Sequence, residues 1–360
     1  MQRAQITHDI HVSYIDTWSD HSTATSNNDP YTTVIGLHGT GYNSHAWLEP
    51  FSFTRSSKTV RFLAYNQRSY EGSSPAFNIK AEAGVDATAA YVEDLINFVD
   101  WAVQEFNLPR FDRQSGKGGI VLLGWSKGTV PLFALLATLH KFPPSPTAFT
   151  GHLSESLSLS TIHSHVRTCL LFEPPGSALA RPATNDFKTQ MSHVVPPNKP
   201  TPVEYAEAFA KWISGWSRQP DNSQSTIMDE TTDANKPGSK AWEPECCLHG
   251  FAWRLSSRAD ELEQLAKVAL GVNDTSSRQS RMPIGLMYGS NTVGYCLDSA
   301  SVISNWWGNH TNEGNDFQTK IESTAIRQIK DQNHFAFEND PIEFVKVLKD
   351  ILNELSPGAM

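Results

Sequence analysis

The stretch IVLLGWSKG, residues 120–128, is the part of the sequence that decides the fold. Its four leading apolar residues are typical of a short buried strand, and the pattern Gly-x-Ser-x-Gly follows at once. The two glycines permit a sharp turn, which would lift the Ser126 hydroxyl to the tip between the strand and the next helix. Residues 129–139 continue with apolar positions on one helical face. The stretch predicts a strand–turn–helix unit that presents Ser126 as a nucleophile, with backbone N–H groups nearby to stabilise an oxyanion.

A serine hydroxyl alone is a poor nucleophile, so it needs a base, and the base needs an orienting carboxylate. His334 is the candidate base. It lies in NHFAFENDP, residues 333–341, between the last predicted strand and the last predicted helix. Ser126 and His334 would then both lie on loops at the carboxyl edge of one parallel sheet.

Composition indicates a globular enzyme rather than a string of small modules. The chain has 360 residues, 39% of them apolar and 19% charged, enough for one large core with an insertion. A net charge of −9 without a basic block disfavours nucleic acid and anionic membranes as partners. No apolar run is long enough to span a bilayer, and the N-terminal residues lack an apolar signal region. We expect a cytoplasmic protein; no feature of the sequence indicates an oligomeric state.

The four cysteines do not have the spacing of a disulfide framework or of a metal site. Cys169 lies in a predicted strand, residues 246–247 are adjacent cysteines, and Cys296 is isolated. Free thiols are therefore the expectation. The HSH sequence at residues 163–165 precedes a predicted strand, and we expect its histidines to be structural or at the surface. No metal site is predicted.

Strands and helices alternate over the first half of the chain. The predicted strands cover residues 10–18, 33–37, 60–65, 119–123, 166–172, 283–288 and 323–329. Apolar residues at three–four spacing predict a helix that ends near residue 106, and further helices are predicted at 204–216, 255–270 and from 341 onward. This alternation predicts an α/β fold with a mostly parallel central sheet and helices on both faces.

The alternation stops between residues 174 and 281, which indicates an insertion. We expect residues 1–174 and 282–360 to form the core, and residues 175–281 to form a mainly helical cap with a mobile polar loop near 218–240. Tryptophans are frequent in the insertion, and we expect Trp212 and Trp216, together with Trp125 of the core, to contact an apolar substrate.

On several motifs the chain resembles α/β-hydrolase-fold proteins that carry a cap domain. The matching segments are HGTG at residues 38–41, NQRSYEGSS at 66–74, the turn at Ser126 and the loop of His334. The resemblance covers nearly all of the chain outside the insertion. The combination of the serine turn with the histidine loop is its most specific part.

The resemblance implies an oxyanion hole formed by the backbone N–H groups of Thr40 and Lys127. It also implies hydrolysis of esters, thioesters or lactones without a cofactor. We expect the Lys127 side chain to point to solvent or to pair with an acid; contact with an anionic substrate is the less favoured alternative. At two positions the chain departs from the common pattern: Asn66 and Ser69 replace an aspartate and a glycine, which we expect to affect loop packing more than chemistry.

The acid is the larger departure from the family pattern. Many members carry an aspartate three residues after the glycine that ends the penultimate strand, and here that position is Thr292. Glu173, at the end of an apolar strand, is the substitute we favour, since so apolar a setting requires a partner for the carboxylate. Asp298 is the alternative; a helix N-terminus would account for it equally well.

The sequence thus predicts a serine hydrolase for a moderately large, apolar carbonyl compound. Acyl transfer and hydrolysis of a carbon–carbon bond between carbonyls use the same three side chains and stay open as alternatives. A non-catalytic binding protein with a hydrolase-like fold is the third possibility.

Overall fold

The computed structural model describes residues 1–18, 30–75, 87–139, 159–181, 201–216, 241–243, 246, 259–272, 282–309 and 324–355. Within these residues, no helix combines the length and the apolar character that crossing a membrane requires.

A single sheet of eight strands organises the molecule, in the order β1-β2-β4-β3-β5-β6-β7-β8. The strands β1 and β2 are antiparallel to their neighbours, and the other six run parallel. Their bounds are β1 Gln2–Gln5, β2 His11–Asp16, β3 Thr32–Leu37, β4 Val60–Tyr65, β5 Ile120–Trp125, β6 Val166–Phe172, β7 Ile284–Gly289 and β8 Thr324–Ile329. The parallel strands end at one edge, and the loops that follow them carry the predicted site residues.

Eight helices accompany the sheet in the described residues. They are α1 Ala87–Phe106, α2 Thr129–Leu139, α3 Leu159–His165, α4 Pro202–Trp216, α5 Ala259–Ala269, α6 Gly294–Asn309, α7 Ala336–Asn339 and α8 Pro341–Leu355. Helices α1, α2, α5 and α6 contribute to one apolar cluster, whereas α4 and α8 contribute to another.

Alternate residues of the central strands separate the two clusters. In β5, Ile120 and Leu122 belong to the first cluster, while Val121 and Leu123 belong to the second. Successive side chains of a strand point to opposite faces, so the clusters lie on the two sides of the sheet. Both faces are therefore buried, which explains why the strands read as unbroken apolar runs.

The predicted fold class is confirmed, and the predicted strands lie within two residues of the observed ends. The sequence reading missed β1 and gave no bounds for α6. The cap at residues 175–281 stays a prediction, and its polar loop near 218–240 lies outside the described residues. Within that range α5 packs against α2 and shares the apolar cluster of the main sheet.

Candidate active site

The turn after β5 has the geometry that the glycine pattern predicts. Ser126 has a φ of 52°, a left-handed conformation that is unfavourable for a residue with a side chain. A Cβ on Gly128 would lie 2.4 Å from the carbonyl oxygen of Leu37, and one on Gly124 would lie 2.4 Å from the carbonyl oxygen of Gly128. Only glycine fits at either position. The turn therefore lies directly against the end of β3, with Ser126 at its tip.

The loop after β3 brings backbone donors to the serine. A Cβ on Gly39 would lie 3.1 Å from the Cβ of Ser126, so the HGTG turn packs against the nucleophile candidate. The neighbouring N–H of Gly41 donates to the hydroxyl of Tyr70 at 3.0 Å. The N–H of Thr40 has no acceptor among the described residues. It is available for an anion that forms beside Ser126.

His38 holds this turn in place and cannot compete as the base. Its Nδ1 donates to the carbonyl of Gly39 at 3.0 Å, and its Nε2 accepts the N–H of Gln67 at 3.0 Å, an assignment that fixes one neutral tautomer. Complete burial lowers the pKa of His38 to about 3, and the nearby Lys127 amine lowers it further. The ring therefore stays uncharged.

Glu173 and His334 meet at the edge of the sheet. Nδ1 of His334 lies 3.3 Å from Oε2 of Glu173, and both side chains are buried. Glu173 follows β6 directly and has a φ of 56°, again a left-handed conformation. The carboxylate thus engages Nδ1, which would leave Nε2 to take a proton if His334 acts as a base.

Thr292 holds the carboxylate, a role that the sequence reading missed. Its hydroxyl donates to Oε2 of Glu173 at 2.5 Å, and the N–H of Gly289 donates to Oε1 at 2.6 Å. In the family that the sequence resembles, the position of Thr292 commonly holds the acid. Here Thr292 instead donates a hydrogen bond to Glu173, at the end of the neighbouring strand. The apolar Leu-Phe-Glu sequence at the end of β6 was the available signal for the acid, but nothing in the sequence paired it with Thr292.

Asp298 lies elsewhere. Its Oδ2 is 3.6 Å from Nε of Arg181, its side chain is 34% exposed, and no hydrogen bond joins it to His334 among the described residues. It belongs to the first turns of α6, as the alternative reading of this aspartate anticipated. The structure brings Glu173, and not Asp298, to the imidazole.

Trp125 links the serine turn to the histidine loop. Its indole N–H donates to the carbonyl oxygen of His334 at 3.1 Å, and the two rings are 5.4 Å apart. The side chain is 1% exposed and packs on Tyr42 and Phe337. These surroundings favour a packing role for Trp125 over the predicted contact with substrate, which stays a prediction.

One of the tryptophans predicted to lie in the cap approaches the imidazole through a second aromatic ring. Trp212 of α4 is buried and packs on Tyr295, whose ring is 6.4 Å from that of His334. The backbone of Trp216 ends α4, but its side chain lies outside the described residues. Trp212 is thus the one predicted cap residue whose side chain connects to the site through described contacts.

Glu243, in the range predicted as the cap, holds the HGTG turn at residues 38–41, which we call the oxyanion turn after its predicted role. The N–H of Glu243 donates to the carbonyl of Gly41 at 2.7 Å, and its Oε1 accepts the Asn43 amide at 2.6 Å. Its Oε2 accepts the N–H of Glu71 at 2.9 Å. Glu243 therefore ties the loop after β3 to the loop after β4. No motif around Glu243 in the sequence indicated this role.

For the Lys127 side chain, the sequence expectation is wrong. The residue is 2% exposed, and its Nζ has no hydrogen-bond partner among the described residues. The amine lies 4.0 Å from the ring centre of Tyr91 and 5.9 Å from that of Tyr70. Burial lowers the pKa of Lys127 to about 7, an effect that the nearby Cys246 thiol opposes. An unpaired ammonium costs several kcal/mol in such a place, and cation–π contact offsets about 2 kcal/mol of it.

Cys296 completes the surroundings of the imidazole. Its Sγ lies 3.6 Å from Nδ1 of His334 and donates to the carbonyl of Glu173 at 3.4 Å. Burial raises the pKa of this thiol well above its ordinary value, so it stays protonated. Glu173, Cys296 and His334 are the one group of three potential metal ligands in the described part of the chain. These contacts are also those expected of an acid (Glu173), a base (His334) and a neutral packing residue (Cys296).

Comparison with known proteins finds structures of similar fold but no match to a family model or a curated sequence. Among solved structures, a haloalkane dehalogenase from Bradyrhizobium elkani has a TM-score of 0.52 at 13% identity, over 98% of this chain and 97% of the other. A structure from a study of carboxylesterases of the thaumarchaeon Nitrososphaera gargenis has a TM-score of 0.50 at 12% identity, over 96% and 95%.

At identities this low the likeness establishes architecture only. Together with the strand order and the mostly parallel sheet, it shows that the chain has the α/β-hydrolase fold over nearly its whole length. What the neighbours act on differs between them, so reaction and substrate have to be argued from the site.

Proposed function

We propose that this protein is a serine hydrolase that cleaves an ester, lactone or thioester of a moderately large, apolar substrate through an acyl-enzyme. The observation that carries the proposal is the buried contact of 3.3 Å between Glu173 and Nδ1 of His334. The backbone carbonyl of His334 also accepts the indole N–H of Trp125, which is the residue before Ser126. Acid, base and nucleophile candidates thus converge at one edge of the sheet.

In the proposed reaction, Oγ of Ser126 attacks the substrate carbonyl while Nε2 of His334 takes its proton. The backbone N–H groups of Thr40 and Lys127 stabilise the tetrahedral anion. Collapse expels the alcohol or thiol, which takes the proton from the imidazolium. Water then attacks the acyl-enzyme, again with His334 as base, and releases the acid. Glu173 orients the imidazole and stabilises its charged form throughout.

The identity of the nucleophile distinguishes this proposal from dehalogenase chemistry. Displacement of a halide by Ser126 would leave an alkyl ether, which has no carbonyl group for water to attack. A serine turns over when it forms an ester, so the reacting group of the substrate is a carbonyl carbon. The haloalkane dehalogenases among the structural neighbours therefore share the fold without supplying the reaction.

We further propose that residues 175–281 form the cap that selects the substrate. Two contacts support this proposal. Trp212 packs on Tyr295, whose ring lies near that of His334, and Glu243 is hydrogen-bonded to the oxyanion turn. Both lie in the proposed cap: Trp212 is one aromatic ring removed from the imidazole, and Glu243 is bonded to the turn that carries the proposed oxyanion donor Thr40.

Labelling with a fluorophosphonate tests the proposal directly. We expect the wild-type protein to react at Ser126, Ser126→Ala not to react, and His334→Ala to react at least about a hundredfold more slowly. Turnover of p-nitrophenyl esters, lactones and acyl thioesters then identifies the class of carbonyl compound. A folded protein that does not label at Ser126 would refute the proposal and favour a binding protein. Faster product formation with added alcohol or amine would instead indicate acyl transfer.

A further inference from the structure

The amine of Lys127 is a buried polar group that the proposed reaction does not use. Only the backbone N–H of this residue has a proposed role, as an oxyanion donor. The side chain is as buried as the candidate reacting groups: Lys127 is 2% exposed, Ser126 8% and His334 2%.

The buried acids near the site have other partners. Both oxygens of Asp94 accept hydrogen bonds from Arg68, at 2.7 and 2.6 Å. Glu173 is held by Thr292, by the backbone of β7 and by His334. No described carboxylate lies within salt-bridge distance of the Lys127 Nζ. Among the described residues, the protein surrounds this amine with aromatic faces and no carboxylate.

Aromatic rings connect the amine to the oxyanion turn. The Nζ lies 5.9 Å from the ring centre of Tyr70, and the Tyr70 hydroxyl accepts the N–H of Gly41. The same ring lies 4.4 Å from that of His38. The groups that face the amine are Tyr91 of α1, Tyr70 of the loop after β4, His38 of the turn after β3 and Cys246 of the inserted segment. None of them is a carboxylate, and the Cys246 sulfur is the group that favours the charged form of the amine.

From this arrangement we infer that Lys127 is a specificity residue that binds a carboxylate on the acyl part of the substrate. The inference rests on the proposed serine hydrolase and narrows its substrate to an apolar acyl chain that carries one negative charge. A carboxylate supplies the missing acceptor and turns an unpaired ammonium into a charge-assisted hydrogen bond. The nucleophile is the adjacent residue, so the same acyl group can meet both.

The test compares two esters in each protein. The probes are p-nitrophenyl half-esters of straight-chain dicarboxylic acids and neutral p-nitrophenyl alkanoates of equal chain length. We expect the wild type to prefer the half-ester at its best chain length by about tenfold or more in kcat/KM, as a charge-assisted contact provides. Lys127→Met should abolish that preference, and Lys127→Arg should shift the optimal chain length. Because the ratio is taken within one protein, a general loss of activity cancels.

Lys330→Met is the matched control, since Lys330 is a 90% exposed lysine; it should keep the wild-type ratio. Absence of a preference in the wild type, or its survival in Lys127→Met, would overturn the inference. Fluorophosphonate labelling separates this failure from that of the proposed function. If the wild type labels at Ser126 but shows no preference, only the role of Lys127 is wrong. If Ser126 does not label, both are wrong.

Discussion

Single residues in unfavourable conformations mark the ends of two central strands. Ser126 and Glu173 both have left-handed backbones, which cost a residue with a side chain about 1–3 kcal/mol. Each conformation turns the chain sharply at the carboxyl end of its strand. The packing of Gly124 and Gly128 holds the first turn, and the donors on Glu173 hold the second. The strain is kept where the proposed chemistry needs two side chains to converge.

The identity of the acid is decided by two substitutions. Glu173→Gln should lower kcat by about 10³–10⁴-fold, because an amide neither fixes the tautomer of His334 nor stabilises its charged form. Asp298→Asn should change kcat by less than about threefold, since Asp298 contacts Arg181 and is partly exposed. Steady-state kinetics on one p-nitrophenyl ester measures both. A large loss in Asp298→Asn alone would show that the acid is misassigned.

Burial of Lys127 should make stability depend on pH. The pKa of this amine is lowered to about 7 in the folded protein, whereas the unfolded chain keeps an ordinary value near 10.5. Between these values the unfolded state binds more protons, so the free energy of unfolding rises with pH, by up to about 1.4 kcal/mol per pH unit. Below pH 7 the penalty for the buried charge is complete.

Urea denaturation at pH 7 and pH 9 checks this expectation. Lys127→Met should show a flatter pH dependence than the wild type, and Lys330→Met, which alters an exposed lysine, should match the wild type. Parallel pH dependences in wild type and Lys127→Met would mean that the amine keeps an ordinary pKa in the fold.

At the scale of elements, the site is built from loops that follow parallel strands and are tied to one another. The loop after β3 contacts the turn after β5 through Gly39 and Gly128. Glu243 joins the loops after β3 and β4. A residue of the proposed cap therefore helps to fix the backbone of the oxyanion turn.

Glu243→Ala should loosen that turn without removing a reacting group. We expect kcat to fall about three- to thirtyfold and KM to change less, because a misplaced oxyanion donor weakens the transition state more than the ground state. Glu49→Ala is the control. It alters an exposed glutamate in the chain that follows β3, and it should leave both constants near the wild-type values. Equal changes in kcat/KM for both variants would argue against a positioning role for Glu243.

At the scale of the whole molecule, two apolar clusters enclose the sheet, and α5 belongs to one of them. Leu265 of α5 is 5% exposed and lies in the cluster that contains α1 and α2. This helix lies in the range predicted as the cap yet packs like a helix of the core. Its contact with α2 predicts that it unfolds together with the core.

Truncation of Leu265 measures that contribution. Leu265→Ala should lower the free energy of unfolding by about 2–4 kcal/mol, the usual cost of a cavity in a packed core. Glu263→Ala, on the exposed side of the same helix, should change it by less than about 1 kcal/mol, since its pairing with Lys267 is at the surface. A small effect of Leu265→Ala in denaturant unfolding would indicate that α5 packs loosely.

The sequence by itself determined seven of the eight strands, the class of fold and the serine turn. Each depends on local features, namely the unbroken apolar runs of a doubly covered sheet and the glycines that a tight turn demands. It also singled out His334 and Glu173, because each follows a predicted strand. The alternation of strands and helices places the carboxyl ends of such strands at one edge of a parallel sheet.

Tertiary structure alone decided which of these groups meet. The contact of Glu173 with Thr292 joins residues 119 positions apart, and that with His334 joins residues 161 positions apart. Strand order, which sets such neighbours, depends on crossover connections that no local pattern encodes. The burial of Lys127 without a carboxylate partner among the described residues has the same origin: the surroundings of a side chain are supplied by distant segments, and only the folded chain brings them together.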